Sequence, residues 1–313
     1  RPVTSSQQHT DQLEPELFPF AYSVLNDPQT GRKDGILKRP KTDPFIVHTQ
    51  TSTEYWQKRG CLVHTDGRGN DLPIPGNVRI YAIACAQHNA PYGSIPTKEE
   101  SQQLSNPMSI GEVLRALIVA MDRWVTKGDL PPDNQIPKVS DGTLVCPDQE
   151  STGFPSIPAV RYTGLHNRQL FLDYGPDLSY GRINLSPPRQ EKNGEYRILV
   201  PKVDTDGNEL AGIRLIPIRV PLATYTGWNL QGSRLAEDEL CGLLGSTIPF
   251  AKTKYEREKN DDPRLSVEER YRDPVDYIQA IIRETESMVS DGFLLAEDAE
   301  RIISQARNTE LLA

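Results

Sequence analysis

A glutamate and a histidine follow two stretches of β-forming residues, where together they could move a proton. Glu54 comes just after the stretch PFIVHTQT (residues 44–51), and His88 lies near the end of VRIYAIACAQHN (residues 78–89). An imidazole can act as a general base near neutral pH, and a carboxylate can fix its tautomer and orientation. Because the carboxyl ends of sheet strands carry the chemistry in open α/β sheets, we expect the two side chains to meet there. The predicted contact is a hydrogen bond of about 2.6–3.2 Å.

Both residues also have a purely structural interpretation. His88 could end a strand and bond to a nearby carbonyl group. Ser52 or Thr53 could cap a helix that starts at Glu54, whose carboxylate would then favour the positive end of the helix dipole. The second interpretation is compatible with a role of Glu54 in orienting a histidine.

Composition and charge exclude several classes of partner. The 313-residue chain is 36% hydrophobic, which is enough to bury a sizeable core in one large domain with additions, or in two. Its net charge is -8, and its 35 basic residues form no long run. We therefore expect neither nucleic acid nor an anionic membrane as a partner. No apolar run approaches the roughly 18 residues of a transmembrane helix. The sequence predicts no particular oligomeric state.

The sequence contains no strong metal or cofactor motif. None of its four cysteines has C-x-x-C spacing: Cys61, Cys85, Cys146 and Cys241. Cys85 falls within the predicted strand, where a small buried side chain is expected. The acidic segment 204–208 (DTDGN) lacks the spacing of an EF-hand and predicts a hairpin turn. We expect no metal ion and no cofactor, with a metal-dependent hydrolase based on His48, His64 and His88 as a weaker alternative.

Periodicity predicts the elements that would support these residues. A capping box, Ser109-x-x-Glu112, and apolar spacing of i, i+3 and i+4 predict a helix from Ser109 to Lys127. Its buried face is predicted to contain four residues: Leu114, Leu117, Ile118 and Met121. Strands are predicted at Arg197–Val203 and Ile213–Val220. A further helix is predicted to start at Pro274 with Asp273 as its N-cap, and a shorter helix is predicted after Gly292.

Two aromatic residues flank Gly227 in the segment 221–229, PLATYTGWN. Tyr225 and Trp228 could wall a substrate pocket, or they could belong to the hydrophobic core. Core packing is the favoured interpretation, and a substrate-binding role stays open.

Nearly the whole chain resembles the "alpha/beta hydrolase domain" proteins, a family of serine carboxylic-ester hydrolases. The resemblance rests on several long runs: FPFAYSVLNDPQTGRKDGIL, STEYWQKRGCLVHTD, NVRIYAIACAQH, VLRALIVAMDRWV, VPKVDTDGNELAGIRL, VPLATYTGWN and IPFAKTKYEREKNDDPRLSVEERY. In this fold the triad follows the chain order nucleophile, acid, histidine. By resemblance, Glu54 is the acid and His88 is the base.

The sequence lacks the nucleophile motif that this resemblance implies. No serine or cysteine of the chain has a glycine two residues before it, as a G-x-S-x-G elbow requires. We therefore expect that the chain is the C-terminal part of an α/β-hydrolase and that the nucleophile lies upstream of Arg1. If an export signal also lies there, a secreted or periplasmic protein is expected. The predicted divisions are a core in 1–130, a proline-rich segment with short strands in 131–232 and a helical segment in 233–313, the last two packed on the core.

The resemblance implies an acyl-enzyme hydrolase whose partner is a small-molecule ester. The alternative from another class is a non-catalytic binding or scaffolding module that presents Tyr225 and Trp228 to a partner. An elbow serine upstream of Arg1 would favour the enzyme, whereas a natural start at Arg1 would favour the module.

Overall fold

The computed structural model describes residues 17–88, 93–180 and 182–308 of the chain. The strands of this described part are β1 (Leu25–Asn26), β2 (Lys33–Asp34), β3 (Ile46–Thr51), β4 (Val78–Ile83), β5 (Leu104–Ser105), β6 (Leu144–Val145), β7 (Gln169–Asp173), β8 (Arg189–Tyr196), β9 (Val200–Pro201), β10 (Ala223–Thr226) and β11 (Ser246–Pro249). The helices are α1 (Ser52–Gln57), α2 (Gly111–Lys127), α3 (Gln149–Thr152), α4 (Ile216–Arg219), α5 (Lys254–Lys259), α6 (Val267–Arg270), α7 (Pro274–Ser290) and α8 (Ala296–Asn308). None of these helices is both long and apolar enough for a membrane span.

The central feature is a parallel pair formed by β3 and β4, in register from Ile46 opposite Val78 to Thr51 opposite Ile83. Single parallel bridges from Gln135 and Ile213 extend the pairing on the other side of β4. The remaining sheets are small and antiparallel, with the pairs β1–β2, β6–β9 and β7–β8 and the three-stranded order β10–β11–β5. This mixture of helices and strands agrees with the predicted α/β class.

Both faces of β4 are covered, as its run of apolar residues requires in a parallel sheet. Tyr81 and Ile83 pack with residues of α2, α4, α7 and α8 in one cluster. Val78, Ile80 and Ala82 pack in a second cluster that contains α1 and the aromatic residues of the proline-rich segment. The strand thus forms the boundary between two hydrophobic cores.

The strand β4 is shorter than the sequence pattern predicted. It ends at Ile83, and Ala84 and Cys85 form a turn before His88. Cys85 is buried, as expected, but it lies in this turn with a left-handed φ of 59° rather than inside the strand. The turn redirects the chain, so His88 stands beyond the strand on a separate loop.

The helix α2 confirms the predicted element but not its start. It begins at Gly111 with Ile110 as the N-cap, and the Ser109 hydroxyl accepts a hydrogen bond from Gly111 N at 3.2 Å. The predicted capping box at Ser109 is therefore wrong by one position. The end is as predicted, since Gly128 adopts a φ of 79° directly after Lys127.

The buried face of α2 is narrower than the apolar pattern suggested. Its buried residues are Val113, Ala116, Leu117 and Trp124. Of the four residues predicted to be buried only Leu117 is, with 2% exposed: Ile118 is 68% exposed, and Leu114 and Met121 are half-buried. Ile118 lies about 100° around the helix from Leu117, which turns it away from the sheet.

Truncation of Leu117 to alanine should lower the free energy of unfolding by roughly 2–5 kcal/mol, because the change removes buried methyl groups and leaves a cavity. Chemical denaturation followed by circular dichroism measures this loss. Ile118→Ala on the next position of the same helix is the control and should change stability by only about 0.5 kcal/mol. Equal losses for the two variants would contradict the orientation of α2.

The two strands predicted at 197–203 and 213–220 are largely absent from the structure. The segment 213–220 is not a strand, because Ile213 forms one bridge and α4 follows with Pro217 in its first turn. Proline lacks an N–H but suits the start of a helix. In the other segment, 197–203, the strand is limited to β9. The turn at 204–208 is confirmed, since Asp204 Oδ1 accepts hydrogen bonds from Asp206 N and Asn208 N, each 3.0 Å long.

Candidate active site

Glu54 and His88 meet at the carboxyl edge of the parallel pair. Glu54 lies three residues beyond β3, and His88 lies five residues beyond β4. The distance from Glu54 Oε1 to His88 Nδ1 is 2.5 Å. The carboxylate is largely covered, with 17% of its side chain exposed, whereas the imidazole is 47% exposed. The contact expected from the sequence is present, and the catalytic roles of the two residues stay predictions.

The start of α1 holds the Glu54 carboxylate in place. Thr51 is the N-cap of this helix, and Glu54 is its third residue. Glu54 Oε2 accepts hydrogen bonds from Thr51 N at 2.6 Å and from Thr51 Oγ1 at 2.5 Å. Helix capping and the contact with His88 therefore use different oxygens of the same carboxylate. The cap itself is Thr51, not Ser52 or Thr53.

The two ring nitrogens of His88 differ in their contacts, because Nδ1 contacts Glu54. An ionised carboxylate only accepts hydrogen bonds, so the neutral ring donates its Nδ1–H to Glu54 and carries a lone pair on Nε2. Among the residues that the structure describes, no hydroxyl or thiol hydrogen-bonds to His88 Nε2. The pair can thus take a proton at Nε2 from a group that reaches the exposed side of the ring.

A buried carboxylate, Glu209, connects the start of α1, just before Glu54, with the turn that precedes His88. Its Oε1 accepts a hydrogen bond from the Ser52 hydroxyl, and its Oε2 accepts one from Cys85 N at 2.7 Å. Burial raises the pKa of Glu209 to about 7, although both hydrogen bonds act in the opposite direction. Sequence reasoning missed Glu209, since its only local feature is a position just after a hairpin turn.

Ser52 does not occupy the position of a nucleophile, although it directly follows a strand and begins a helix. Its side chain is buried, and its hydroxyl is hydrogen-bonded to Glu209 rather than to His88. A nucleophile elbow instead exposes its hydroxyl at the top of the sheet, within reach of the histidine. Ser52 therefore belongs to the support of the site.

The other histidines considered for a metal site do not converge with His88. His48 Nδ1 contacts the Tyr22 hydroxyl at 2.8 Å, and His64 Nε2 contacts the Tyr55 hydroxyl at 3.0 Å. Burial lowers the pKa of His64 to about 4, so this ring is neutral near pH 7. Within residues 17–88, 93–180 and 182–308, no three His, Cys, Asp or Glu side chains form a potential metal cluster.

Tyr225 and Trp228, the aromatic residues that flank Gly227, lie in different surroundings. Trp228 is 3% exposed and packs against Trp56 and Phe154, with ring centroids 6.0 Å and 5.5 Å away. Trp228 therefore belongs to the hydrophobic core, as expected, and is too buried to present a surface to a partner. It also lines a narrow cavity together with Ser52 and Glu209, and its substrate-binding role stays a prediction. Tyr225 is half-buried and borders an apolar cavity of about 280 Å³.

This cavity is separate from the pair of Glu54 and His88. Neither residue lines it, and its walls come mainly from α2, α7, α8 and the segment around α4, including Met108, Val113, Ile216, Met288 and Leu294.

Comparison with known proteins gives one match. A family model described as "Alpha/beta hydrolase domain" matches residues 19–304, a range that contains both Glu54 and His88. Neither a curated protein nor a solved structure matches the chain.

Proposed function

Since the chain belongs to the alpha/beta hydrolase domain family, we propose that it supplies the acid and the base of a hydrolase that cleaves small carboxylic esters through an acyl-enzyme. The observation that carries this proposal is the contact between Glu54 and His88 through Nδ1, with no hydroxyl or thiol of the described residues bonded to Nε2. This is the arrangement that activates a hydroxyl nucleophile. The family match supports hydrolysis in general, and the ester and the acyl-enzyme are our extension.

In the proposed reaction His88 acts twice. Its Nε2 takes the proton of a serine hydroxyl while the serine oxygen bonds to the ester carbonyl carbon, and it then gives this proton to the departing alkoxide. In the second half Nε2 takes a proton from a water molecule whose oxygen bonds to the acyl carbon, and it gives this proton to the serine oxygen as the bond between that oxygen and the acyl carbon breaks and the acid product leaves. Glu54 keeps the Nδ1–H of the ring directed toward itself and stabilises the imidazolium that forms in each half.

We propose that the nucleophile lies outside residues 1–313. The chain has no elbow serine, and the edge of β3 opposite β4 pairs with none of the described strands. An unpaired strand edge carries free N–H and C=O groups that another strand can bind. A strand bearing the nucleophile could complete the sheet at this edge and place its hydroxyl near His88.

This proposal predicts different reactivity for two chain lengths. The 313-residue chain alone should show no burst with p-nitrophenyl acetate and no labelling by a fluorophosphonate, because an acid and a base without a nucleophile form no acyl-enzyme. A longer chain that includes the upstream residues of its reading frame should show both. Stoichiometric labelling of the short chain at one of its own serines would mean that the nucleophile is within it, and an unreactive longer chain would contradict the proposed mechanism.

A further inference from the structure

Glu209 lies between the first turn of α1, which carries the proposed acid, and the turn that precedes the proposed base. Ser52, which donates to its Oε1, lies two residues before Glu54 in this helix. Cys85, whose backbone N–H donates to its Oε2 at 2.7 Å, lies three residues before His88. One carboxylate thus contacts both segments at once, and each oxygen contacts a different segment.

Glu209 forms no ion pair with a Lys, Arg or His among the described residues, although it is only 5% exposed. In contrast, Asp298 is fully buried but pairs with Arg115 at 2.7 Å and with Arg301. A buried carboxylate without a cation is costly for stability, and such groups concentrate at functional sites.

Further contacts hold the start of α1 and the turn before His88 beside Glu209. Cys85 has a left-handed φ of 59°, and its thiol accepts a hydrogen bond from Glu209 N at 3.0 Å. A direct link between the two segments also exists, since Thr53 N donates to Ala86 O at 3.4 Å. This link is long and therefore weak, so the carboxylate provides the stronger connection.

We propose that Glu209 is a positioning residue that holds the first turn of α1, with Glu54, and the turn before His88 at the spacing that the contact between Glu54 and His88 requires. The inference rests on the proposed function, because it deepens the account of the same acid and base. Glu209 does not touch a substrate and takes no part in proton transfer. It acts through Ser52 and through the turn at Cys85.

The test is NMR of the Nδ1 proton of His88 in the 313-residue chain, which needs neither nucleophile nor substrate. Glu209→Ala leaves the Ser52 hydroxyl and Cys85 N–H without an acceptor, so this proton should exchange with water at least about tenfold faster or disappear. Glu209→Gln should keep the resonance, since its amide can accept from Cys85 N and donate to Ser52 Oγ. Asp298→Asn, at a buried carboxylate of α8, is the control and should leave the exchange rate unchanged.

The variants of Glu209 and Ser52 test this proposal independently of the proposed function. If Glu209→Ala keeps the wild-type resonance and exchange rate, Glu209 is not a positioning residue. If Glu209→Ala does not fold, Ser52→Ala provides the same test with a smaller effect in the same direction, and wild-type exchange in Ser52→Ala likewise overturns the proposal. A present resonance without ester hydrolysis by the longer chain would contradict the function alone. Absence of the resonance from the unsubstituted chain would contradict both.

Discussion

Replacement of His88 by alanine in the longer, upstream-extended chain should lower kcat for an activated ester by about a million-fold, the size of effect seen when a triad histidine is lost. Without the imidazole no group accepts the proton of the serine, and the neutral hydroxyl is a poor nucleophile. The measurements are the burst of p-nitrophenol and labelling by a fluorophosphonate, both of which should disappear.

A matched control is available on the neighbouring strand. His48 is half-buried in β3 and contacts the Tyr22 hydroxyl, so His48→Asn can keep a polar partner for that hydroxyl. This variant should be labelled at nearly the wild-type rate. Retention of labelling in His88→Ala would show that another base serves the nucleophile, and the proposed role of His88 would be wrong.

The sequence predicted the contact between Glu54 and His88 because local patterns carry the necessary information. Two β-forming stretches, each followed by a polar residue near its end, were enough to predict that Glu54 and His88 meet at one edge of a sheet. The cap of α7 at Asp273 was visible for the same reason, whereas the cap of α1 was predicted one or two residues after its actual position at Thr51. These features depend on residues close to one another in the chain.

What the sequence did not predict depends on long-range packing. Glu209 reaches Ser52 across 157 residues and Cys85 N across 124 residues, and no local pattern marks such contacts. The apolar stripe of α2 extends around Ile118, but only the tertiary arrangement decides which side faces the sheet. Similarly, the apolar run 213–220 suits a strand or a helix, and one proline in the first turn favoured the helix.

Replacement of Glu54 by glutamine should lower kcat by about 10⁴-fold, because the variant reverses the tautomer of His88. Thr51 N–H and the Thr51 hydroxyl both point at Oε2 of the carboxylate. In the variant this position favours the amide oxygen, since the backbone N–H can only donate. The amide NH₂ then faces His88 Nδ1, which must accept, and the ring proton moves to Nε2. The base is thereby blocked at the atom that should take the proton from serine.

Two measurements test this argument separately. In the 313-residue chain the ¹⁵N shifts of the His88 ring should show the proton on Nδ1 in the wild-type protein and on Nε2 in Glu54→Gln. In the longer chain kcat should fall with little change in KM, since the lost interaction acts on the transition state. Glu112→Gln on α2, whose carboxylate is similarly covered with 13% exposed, should change neither quantity. A Glu54→Gln variant with the proton still on Nδ1 would contradict the role of Thr51, and one with full activity would remove Glu54 from the mechanism.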